Sequence, residues 1–318
     1  MAIDLPFARH VTRDINVHKK KVYCLDWDCN GRRLATGSND QTVRVWKIDS
    51  RHREKSERHE VELKMPDRLA CTCVLWHPTS PDSLATIAQD DNVRVWDTRS
   101  GKCAAIIPTP DMNLYMAWSP HDPDIVATAS NRNMVSFIDM RRNKVFKSVK
   151  NNHLVNELAF TRDGKLFLQA TESGVEMYRF PELEKLSSLN GHTGTVLTLT
   201  LDGQDRYMAS GGADAIAAVW DLETLACIRT CTQMDGEIKT LSISHDSQYL
   251  AYAGEQDMVV IEALQEGRSP WTVPLSKPPK TIESLAWNPK YPVLAVTGNF
   301  VETGSHSFGN ITIYAPIS

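Results

Sequence analysis

The sequence has no excess of basic charge, and this argues against a dedicated nucleic-acid-binding domain. Its 35 Lys and Arg residues are outnumbered by 39 Asp and Glu residues, and the formal net charge is −4. Domains that bind nucleic acid usually show a clear basic surplus. Two short basic clusters exist, "HKKK" (His18–Lys21) and "MRRNK" (Met140–Lys144). Neither has interleaved aromatic residues that would stack on bases, so we expect direct RNA binding to be at most auxiliary.

Long apolar runs are also missing. No run approaches the roughly 20 residues that span a bilayer, so no membrane association is expected. The segment "MAIDLPFARHVTRD" (Met1–Asp14) has no signal-peptide core, and secretion is not expected either. The seven Cys residues are odd in number and scattered, which is typical of a protein from a reducing compartment.

Motifs that carry chemistry are equally scarce. None of the Cys residues has the Cys-x2-Cys spacing that structural zinc sites prefer. There is no phosphate-binding Gly loop, and "GSHSFG" (Gly304–Gly309) is not the Gly-x-Ser-x-Gly of a nucleophile elbow. We therefore expect no cofactor, no metal, no small-molecule substrate and no enzyme activity.

What the sequence does contain is a repeat. A short apolar run that ends in a large apolar residue recurs seven times, about every 42 residues, the period of WD-repeat propeller blades. The runs end at Trp27, Trp76, Trp118, Phe160, Leu201, Ile243 and Trp287. Two further runs rich in Val, Ile and aromatic residues follow each of them, separated by turn residues. This pattern predicts strands joined in hairpins.

A fourth, outer strand completes the predicted unit. In "HEVELKM" (His59–Met65) apolar and charged residues alternate, as expected of an edge strand with one wet face. The same slot holds "KCAAIIP", "KVFKSVK", "EKLSSLN" and "ACIRTCT" in later units. One such sheet cannot bury both of its faces, whereas seven stacked in a ring can. The sequence therefore predicts one all-β domain over residues 1–318, a seven-bladed WD-repeat β-propeller.

The ring must also close. The segment "RHVTRDINVH" (Arg9–His18) precedes the first repeat and has no partner within it. We predict that residues 1–17 supply the outer strand of blade 7, whose other three strands come from Ile282–Tyr314. The seven repeats then occupy residues 18–314, and both ends of the chain lie in one sheet.

Three similar stretches, Leu34–Trp46, Leu84–Trp96 and Met208–Trp220, carry a Ser/Thr–Asp–Trp set. Together with a preceding His in two of the repeats, this set resembles the structural tetrad of WD-repeat proteins. A buried indole N–H needs an acceptor, which the Ser or Thr hydroxyl supplies, and His bridges that hydroxyl to the Asp of the turn. The sets are His18, Thr36, Asp40 and Trp46 in repeat 1; Thr86, Asp90 and Trp96, without His, in repeat 2; and His192, Ser210, Asp214 and Trp220 in repeat 5. Since the set recurs and includes Trp, we interpret it as a turn lock and not as a catalytic triad.

Several repeats resemble those of the THO complex subunit 3 family. The similarity is carried by stretches such as "GRRLATGSNDQTV", "LWHPTSPDSLATIAQDDNVRVWDTRSGKC" and "GADAIAAVWDLETLACIRTC", and by a sixth repeat that ends in "VVIEA" where Trp is usual. The resemblance implies a non-enzymatic subunit of the nuclear THO complex. It also implies indirect association with a DEAD-box RNA helicase and an RNA-export adaptor, and a role in messenger RNA packaging and export.

Three places are candidate partner-binding surfaces. They are a charged insertion with Arg51, Arg53 and Lys55, an insertion at Asn299–Gly309 with the apolar residues Phe300, Val301 and Phe308, and Arg99. Arg99 ends "WDTR", which resembles the motif through which some propellers bind the adaptor of a cullin-type ubiquitin ligase. The alternative function is therefore a substrate receptor of such a ligase. The simpler interpretations are solvated loops and an ordinary ion pair.

Overall fold

The computed structural model describes residues 10–48, 59–265, 269–275, 281–301 and 307–316. In these ranges the regular secondary structure consists of strands, apart from one 3-10 turn at Pro66–Arg68. The strands group into seven antiparallel sheets of four. The predicted all-β, seven-bladed propeller is confirmed.

Each of the first three blades uses four consecutive strands, ordered from the innermost to the outermost. Blade 1 contains β2 (Val22–Trp27), β3 (Arg33–Ser38), β4 (Thr42–Lys47) and β5 (Val61–Lys64). Blade 2 contains β6 (Cys71–Trp76), β7 (Ser83–Ala88), β8 (Asn92–Asp97) and β9 (Lys102–Pro108). Blade 3 contains β10 (Asn113–Trp118), β11 (Ile125–Ser130), β12 (Met134–Asp139) and β13 (Lys144–Lys150).

The next three blades repeat this order. Blade 4 contains β14 (Val155–Phe160), β15 (Leu166–Thr171), β16 (Gly174–Arg179) and β17 (Glu184–Leu189). Blade 5 contains β18 (Val196–Leu201), β19 (Tyr207–Gly212), β20 (Ala217–Asp221) and β21 (Ala226–Cys231). Blade 6 contains β22 (Ile238–Ile243), β23 (Tyr249–Gly254), β24 (Val259–Ala263) and β25 (Trp271–Val273). Strand β25 was not predicted, because three residues are too few to show alternation.

Blade 7 joins the two ends of the chain. It contains β26 (Thr281–Trp287), β27 (Leu294–Val301), β28 (Ser307–Pro316) and, outermost, β1 (His10–His18). Strand β1 runs antiparallel to β28, from His10 opposite Pro316 to His18 opposite Gly309. Closure of the last blade by an amino-terminal outer strand is confirmed. Residues 1–9 of the predicted segment 1–17 lie outside the described residues, and the outer limits of the domain stay a prediction.

The hydrophobic core lies between neighbouring blades. At the junction of blades 7 and 1, Trp27 and Trp46 pack against Ile311 and Ile313. The inner strands are also joined by indole donors, since Nε1 of Trp27 donates to the Ala286 carbonyl at 3.1 Å. Burial of apolar area contributes roughly 25 cal/mol per Å², so these interfaces hold the disc together as one body.

Candidate functional site

The four predicted residues of blade 1 lie in one buried hydrogen-bonded chain. Nε1 of Trp46 donates to Oγ1 of Thr36 at 3.0 Å. Nε2 of His18 lies 2.9 Å from the same hydroxyl, and Nδ1 lies 3.0 Å from Oδ2 of Asp40. A carboxylate only accepts, so the proton of the imidazole sits on Nδ1 and Nε2 accepts from the Thr36 hydroxyl. The chain of donors therefore runs from indole to hydroxyl to imidazole to carboxylate.

His18 also ties two blades together, because it is the last residue of strand β1 in blade 7 while its partners belong to blade 1. Burial lowers the pKa of His18 despite the nearby Asp40 carboxylate. Burial alone would raise the pKa of Asp40, but the hydrogen bonds from His18, Thr42 and the Lys19 N–H outweigh it and hold the pKa of Asp40 well below its usual range. The imidazole is thus held neutral and the carboxylate charged.

Blade 5 repeats the arrangement. Nε1 of Trp220 donates to Oγ of Ser210 at 2.9 Å, and His192 lies 2.8 Å from that hydroxyl and 3.1 Å from both oxygens of Asp214. Two glycines make room for it. A Cβ on Gly191 would lie 2.6 Å from the Trp220 ring, and a Cβ on Gly212, the residue two before Asp214, would lie 2.9 Å from the imidazole.

Blade 2 keeps the indole bond but replaces the imidazole. Nε1 of Trp96 donates to Oγ1 of Thr86 at 2.9 Å, and Sδ of Met65 lies 3.9 Å from that hydroxyl where His would be. Asp90 is instead held by both terminal nitrogens of Arg94, with Nη1 at 3.1 Å. Arg94 is buried, and its Nε is left without a hydrogen-bond partner. Sequence reasoning found the missing His but not this replacement.

Blade 6 holds another substitute for the tetrad, which was not predicted from the sequence. Glu262 stands at the position of the Trp, and Tyr252 stands at that of the Thr. Oη of Tyr252 donates to Glu262 at 2.6 Å, and Nη2 of Arg229 in blade 5 donates to the same carboxylate at 2.8 Å. Burial, followed by the bond to Glu262, raises the pKa of Tyr252 above its usual range. The signal in the sequence was a Glu inside the apolar strand "VVIEA".

An inner-strand carboxylate and a cavity between two blades also have structural roles. Oδ2 of Asp26 accepts from the Trp76 N–H at 2.6 Å, which joins the inner strands of blades 1 and 2, and burial raises the pKa of Asp26 to about 7. A cavity of about 460 Å³ lies between blades 4 and 5. Its Asp205 accepts from the backbone N–H groups of Arg162 and Asp163, so this carboxylate fixes a turn.

In the part of the chain that the structure describes, no three His, Cys, Asp or Glu side chains converge in a way that would hold a metal ion. Over the same residues, no helix has the length and apolar content to cross a bilayer.

The partner-binding candidates have different outcomes. Arg99 is largely exposed, and its Nε lies 3.5 Å from Asp97 and 3.9 Å from Asp82. Phe300, Val301 and Phe308 were expected in a loop, which is wrong for their backbones. They belong to β27 and β28, with Phe300 opposite Phe308, because these residues favour an extended conformation and prolong the hairpin. Arg51, Arg53 and Lys55 lie outside the described residues.

The protein is similar to a known family and to several known proteins, and the family match covers the two repeats with complete tetrads. The WD domain, G-beta repeat family matches residues 9–47 and 183–221, which contain the two complete tetrads. THO complex subunit 3 of Arabidopsis thaliana is 34% identical over 93% of this chain and 92% of its own length. WD repeat-containing protein AAC3 of Dictyostelium discoideum is 28% identical over 91% of this chain and 64% of its own length. Anaphase-promoting complex subunit cdc20 of the same organism is 23% identical over 68% of this chain and 35% of its own length.

Proposed function

The chain belongs to the THO complex subunit 3 family, and on this premise we propose that it is a non-enzymatic scaffold subunit of the nuclear THO complex. The observation that carries the proposal is 34% identity spread over 93% of the chain. A match over 93% of the chain extends far beyond any single repeat. A fold by itself does not determine function, so the proposal depends on this family assignment.

The architecture supports a scaffold role. Hydrogen bonds join the inner strands of blades 1 and 2 and those of blades 6 and 7, and the two chain ends share one sheet. A disc of this kind is rigid and presents loops on two faces and outer strands around its rim. Such surfaces suit protein contacts that need positioning without chemistry.

The proposal also specifies which partners the disc binds and where in the cell it acts. We infer that the disc docks on other THO subunits in the nucleus and through them reaches a DEAD-box RNA helicase and an RNA-export adaptor. It would thereby support co-transcriptional packaging and export of messenger RNA. Direct contact with RNA would be auxiliary, because the net charge of −4 gives no general attraction for phosphate.

Affinity purification from nuclear extract tests the proposal. A tagged version of the protein, expressed in cells of its source organism, should recover the other THO subunits in comparable amounts. Mass spectrometry of the recovered proteins measures this. The matched control is the same tag on an unrelated seven-bladed propeller, which controls for proteins that bind any propeller. Recovery of a cullin-type ligase adaptor without THO subunits would overturn the scaffold proposal.

The ligase alternative depends on the motif "WDTR" (Trp96–Arg99), which ends in Arg99. Its exposed side chain leaves it accessible, but its ion pairs with Asp97 and Asp82 are those of an ordinary surface arginine. If that alternative holds, Arg99→Ala abolishes recovery of the ligase adaptor. If the scaffold proposal holds, Arg99→Ala leaves recovery of THO subunits unchanged.

A further inference from the structure

The junctions between neighbouring blades differ in the side chains that fill them on the face opposite the tetrad turns. Three positions define this layer: the first residue of a blade's second strand and, from the next blade, the last residue of the inner strand and the first residue after the third strand. Between blades 3 and 4 these positions hold Ile125, Phe160 and Phe180, which pack in one cluster. The two phenyl rings lie with their centroids 5.2 Å apart, so aromatic side chains fill this junction.

The junction of blades 4 and 5 has leucine at all three positions. The three are Leu166, Leu201 and Leu222, and each is only partly buried. Among the described residues, every other junction has at least one aromatic ring in this layer. From the junction of blades 1 and 2 onward these rings are Trp76, Trp118, Phe160, Tyr207, Trp287 and Trp27. Because leucine is smaller than any of these residues, the layer is less completely filled between blades 4 and 5.

A groove of about 460 Å³ lies at this junction. Leu166 and Leu222 supply its apolar lining, and it reaches the turns that join the inner strands of blades 4 and 5 to their second strands. Its volume lies in the range of about 300 to 1,000 Å³ that is typical of ligand sites. The groove therefore has room for one large side chain from another molecule.

Carboxylates surround the apolar lining. They belong to Asp163, Asp205, Asp221 and Glu223. Asp163 has a cationic partner, Lys165, at 3.0 Å. Asp205 and Asp221 accept from backbone N–H groups of their turns, which do not neutralise a negative charge. Among the described residues, none of Asp205, Asp221 and Glu223 has a basic side chain within ion-pair distance, so the mouth of the groove is acidic.

The arginines near the groove have partners of their own. Arg206 is the one basic residue in the described lining. Its Nε lies 3.8 Å from Asp202, and its guanidinium lies over the Tyr207 ring. Nη1 of Arg162 donates to the Gly203 carbonyl at 2.7 Å. Carboxylates therefore outnumber cations in the lining by four to one.

From the apolar groove and its acidic mouth we propose that the junction of blades 4 and 5 binds a partner protein through a large apolar side chain flanked by lysine or arginine. The apolar side chain covers Leu166 and Leu222, and the flanking cations pair with carboxylates such as that of Glu223. A bulky side chain in a pocket is often the energetic centre of a protein interface, and charges around it fix the register. The inference rests on the proposed scaffold function, because it assigns that scaffold a contact surface.

Two other occupants fit less well. A nucleic acid would bring phosphates against the carboxylates, which is unfavourable. A second copy of the chain would offer Tyr291, which follows Lys290, but Tyr291 is only 39% exposed and does not project far enough to fill a groove. Charge and shape together favour a basic segment of a different protein.

A short peptide tests the groove directly. The probe is the fluorescein-labelled peptide Gly-Lys-Lys-Phe-Lys-Lys-Gly, read by fluorescence anisotropy against the full chain. One comparison peptide has Gly in place of Phe, and a second has Glu in place of every Lys. We expect the first peptide to bind, with weaker binding as salt rises, and we expect neither comparison peptide to bind as tightly.

Two variants of the protein give the test its specificity. Leu222→Phe supplies the ring that blade 4 has in Phe180, so it fills the groove and should weaken peptide binding by about 10-fold or more. Because the ring occupies empty volume, the melting temperature should equal or exceed that of the wild type. Glu223→Lys reverses an exposed charge of the lining and should weaken binding by about 5-fold.

Glu182→Lys is the matched control. It makes the same charge change in the turn after the third strand of blade 4, beside the junction that Phe160 and Phe180 already fill. Its peptide binding should equal that of the wild type. Sedimentation of the wild type and of Leu222→Phe shows whether a second copy of the chain occupies the groove instead.

Each result decides one point. The inference is overturned by absent binding of the Phe peptide, by equal binding of the Gly peptide, or by equal loss in Glu182→Lys. It is also overturned by a lower melting temperature of Leu222→Phe, which would mean that the groove has no room for a ring, and by a dimer that this variant abolishes.

Purification from nuclear extract separates this inference from the proposed function. The double variant Leu222→Phe, Glu223→Lys should recover less of at least one THO subunit than the wild type does. If it recovers all of them as the wild type does, the inference fails while the proposed function stands. If the wild type itself recovers none, the proposed function fails.

Discussion

Blades 1 and 2 carry nearly the same strand–turn–strand sequence and hold it together differently. The two stretches, Leu34–Trp46 and Leu84–Trp96, share the ending "VRVW". In blade 1 the turn Asp is held by a neutral imidazole and the arginine of "VRVW" pairs with the outer strand. In blade 2 the arginine itself holds the Asp from inside the blade. Identical local sequence therefore has two structural outcomes.

The neighbouring segments therefore decide which partner the arginine takes. His18 and Glu62 flank the repeated stretch in blade 1, whereas Met65 and Ile106 occupy those places in blade 2. Each arrangement satisfies the buried indole and the turn carboxylate, which is the physical requirement. This account of the two blades leads to four tests, and the expected change in stability decreases from the first to the last.

The largest loss of stability is expected when His18 of blade 1 is replaced by Met, the residue that blade 2 has at the corresponding place. His18→Met removes a partner from both Thr36 and Asp40 and loosens the junction of the closing strand with blade 1. Since two buried groups lose a bond, we expect the free energy of unfolding to fall by about 2 to 3 kcal/mol. Urea denaturation followed by tryptophan fluorescence measures it.

The control for this change is His153→Met. Nδ1 of His153 lies 2.6 Å from the carboxylate of the exposed Glu172, and the loss of this surface contact should cost less than about 0.5 kcal/mol. Equal destabilisation by the two substitutions would contradict the view that the His18 chain is a lock.

A smaller loss of stability is expected when Arg94 or Arg44 is replaced by Met. Arg94→Met deprives Asp90 of both guanidinium bonds, but it also removes a buried Nε that has no partner, and this offsets part of the loss. We expect a destabilisation of about 1.5 kcal/mol. Arg44→Met removes a more exposed pair with Glu62 and should cost about 0.5 kcal/mol. Thermal denaturation of both variants checks the order, and a larger loss from Arg44→Met would reverse our interpretation of the two blades.

Much of the fold was predictable because its signals are local and repeated. Inner strands end in a large apolar residue, turns carry Asp, Gly or Asn, and the period of about 42 residues sets the blade. Ring closure followed from counting, since Arg9–His18 had no partner in its own repeat. The short β25 escaped prediction because three residues give no periodicity.

The site was predictable only where the motif is complete. Partners of His18 and His192 follow from residue type and spacing, whereas the inward turn of Arg94 depends on what the outer strand lacks. The bond of Glu262 to Arg229 crosses from one blade to the next, at 33 residues' separation. Such contacts are set by packing of distant segments, which no local pattern encodes.

Acidification should distinguish the two blades. Burial lowers the pKa of His18 in the folded state. Below about pH 6.5 the imidazole is therefore protonated more readily in the unfolded chain than in the folded chain, and this favours unfolding. The contribution of His18 is therefore fully present above pH 6.5 and decreases as the pH falls. The stability gap between wild type and His18→Met should narrow from pH 7 to pH 5 in urea titrations.

The difference in the free energy of unfolding between wild type and Arg94→Met should stay constant from pH 7 to pH 5. The Arg94 bonds outweigh burial and lower the pKa of Asp90, so both partners remain charged from pH 7 to pH 5. A parallel narrowing of the two gaps would show that a titration elsewhere in the ring, and not His18, governs the change.

The smallest effect is expected from completing the tetrad of blade 2. Met65→His places an imidazole where Sδ now faces the Thr86 hydroxyl, but Asp90 is already held by Arg94. The free energy of unfolding should therefore change by less than about 0.5 kcal/mol. In the Arg94→Met background the same imidazole finds a free carboxylate and should recover about 1 kcal/mol. A double-mutant cycle measures this coupling. Independent effects of the two substitutions would mean that imidazole and guanidinium do not compete for Asp90, and the contrast between the two blades would then need another cause.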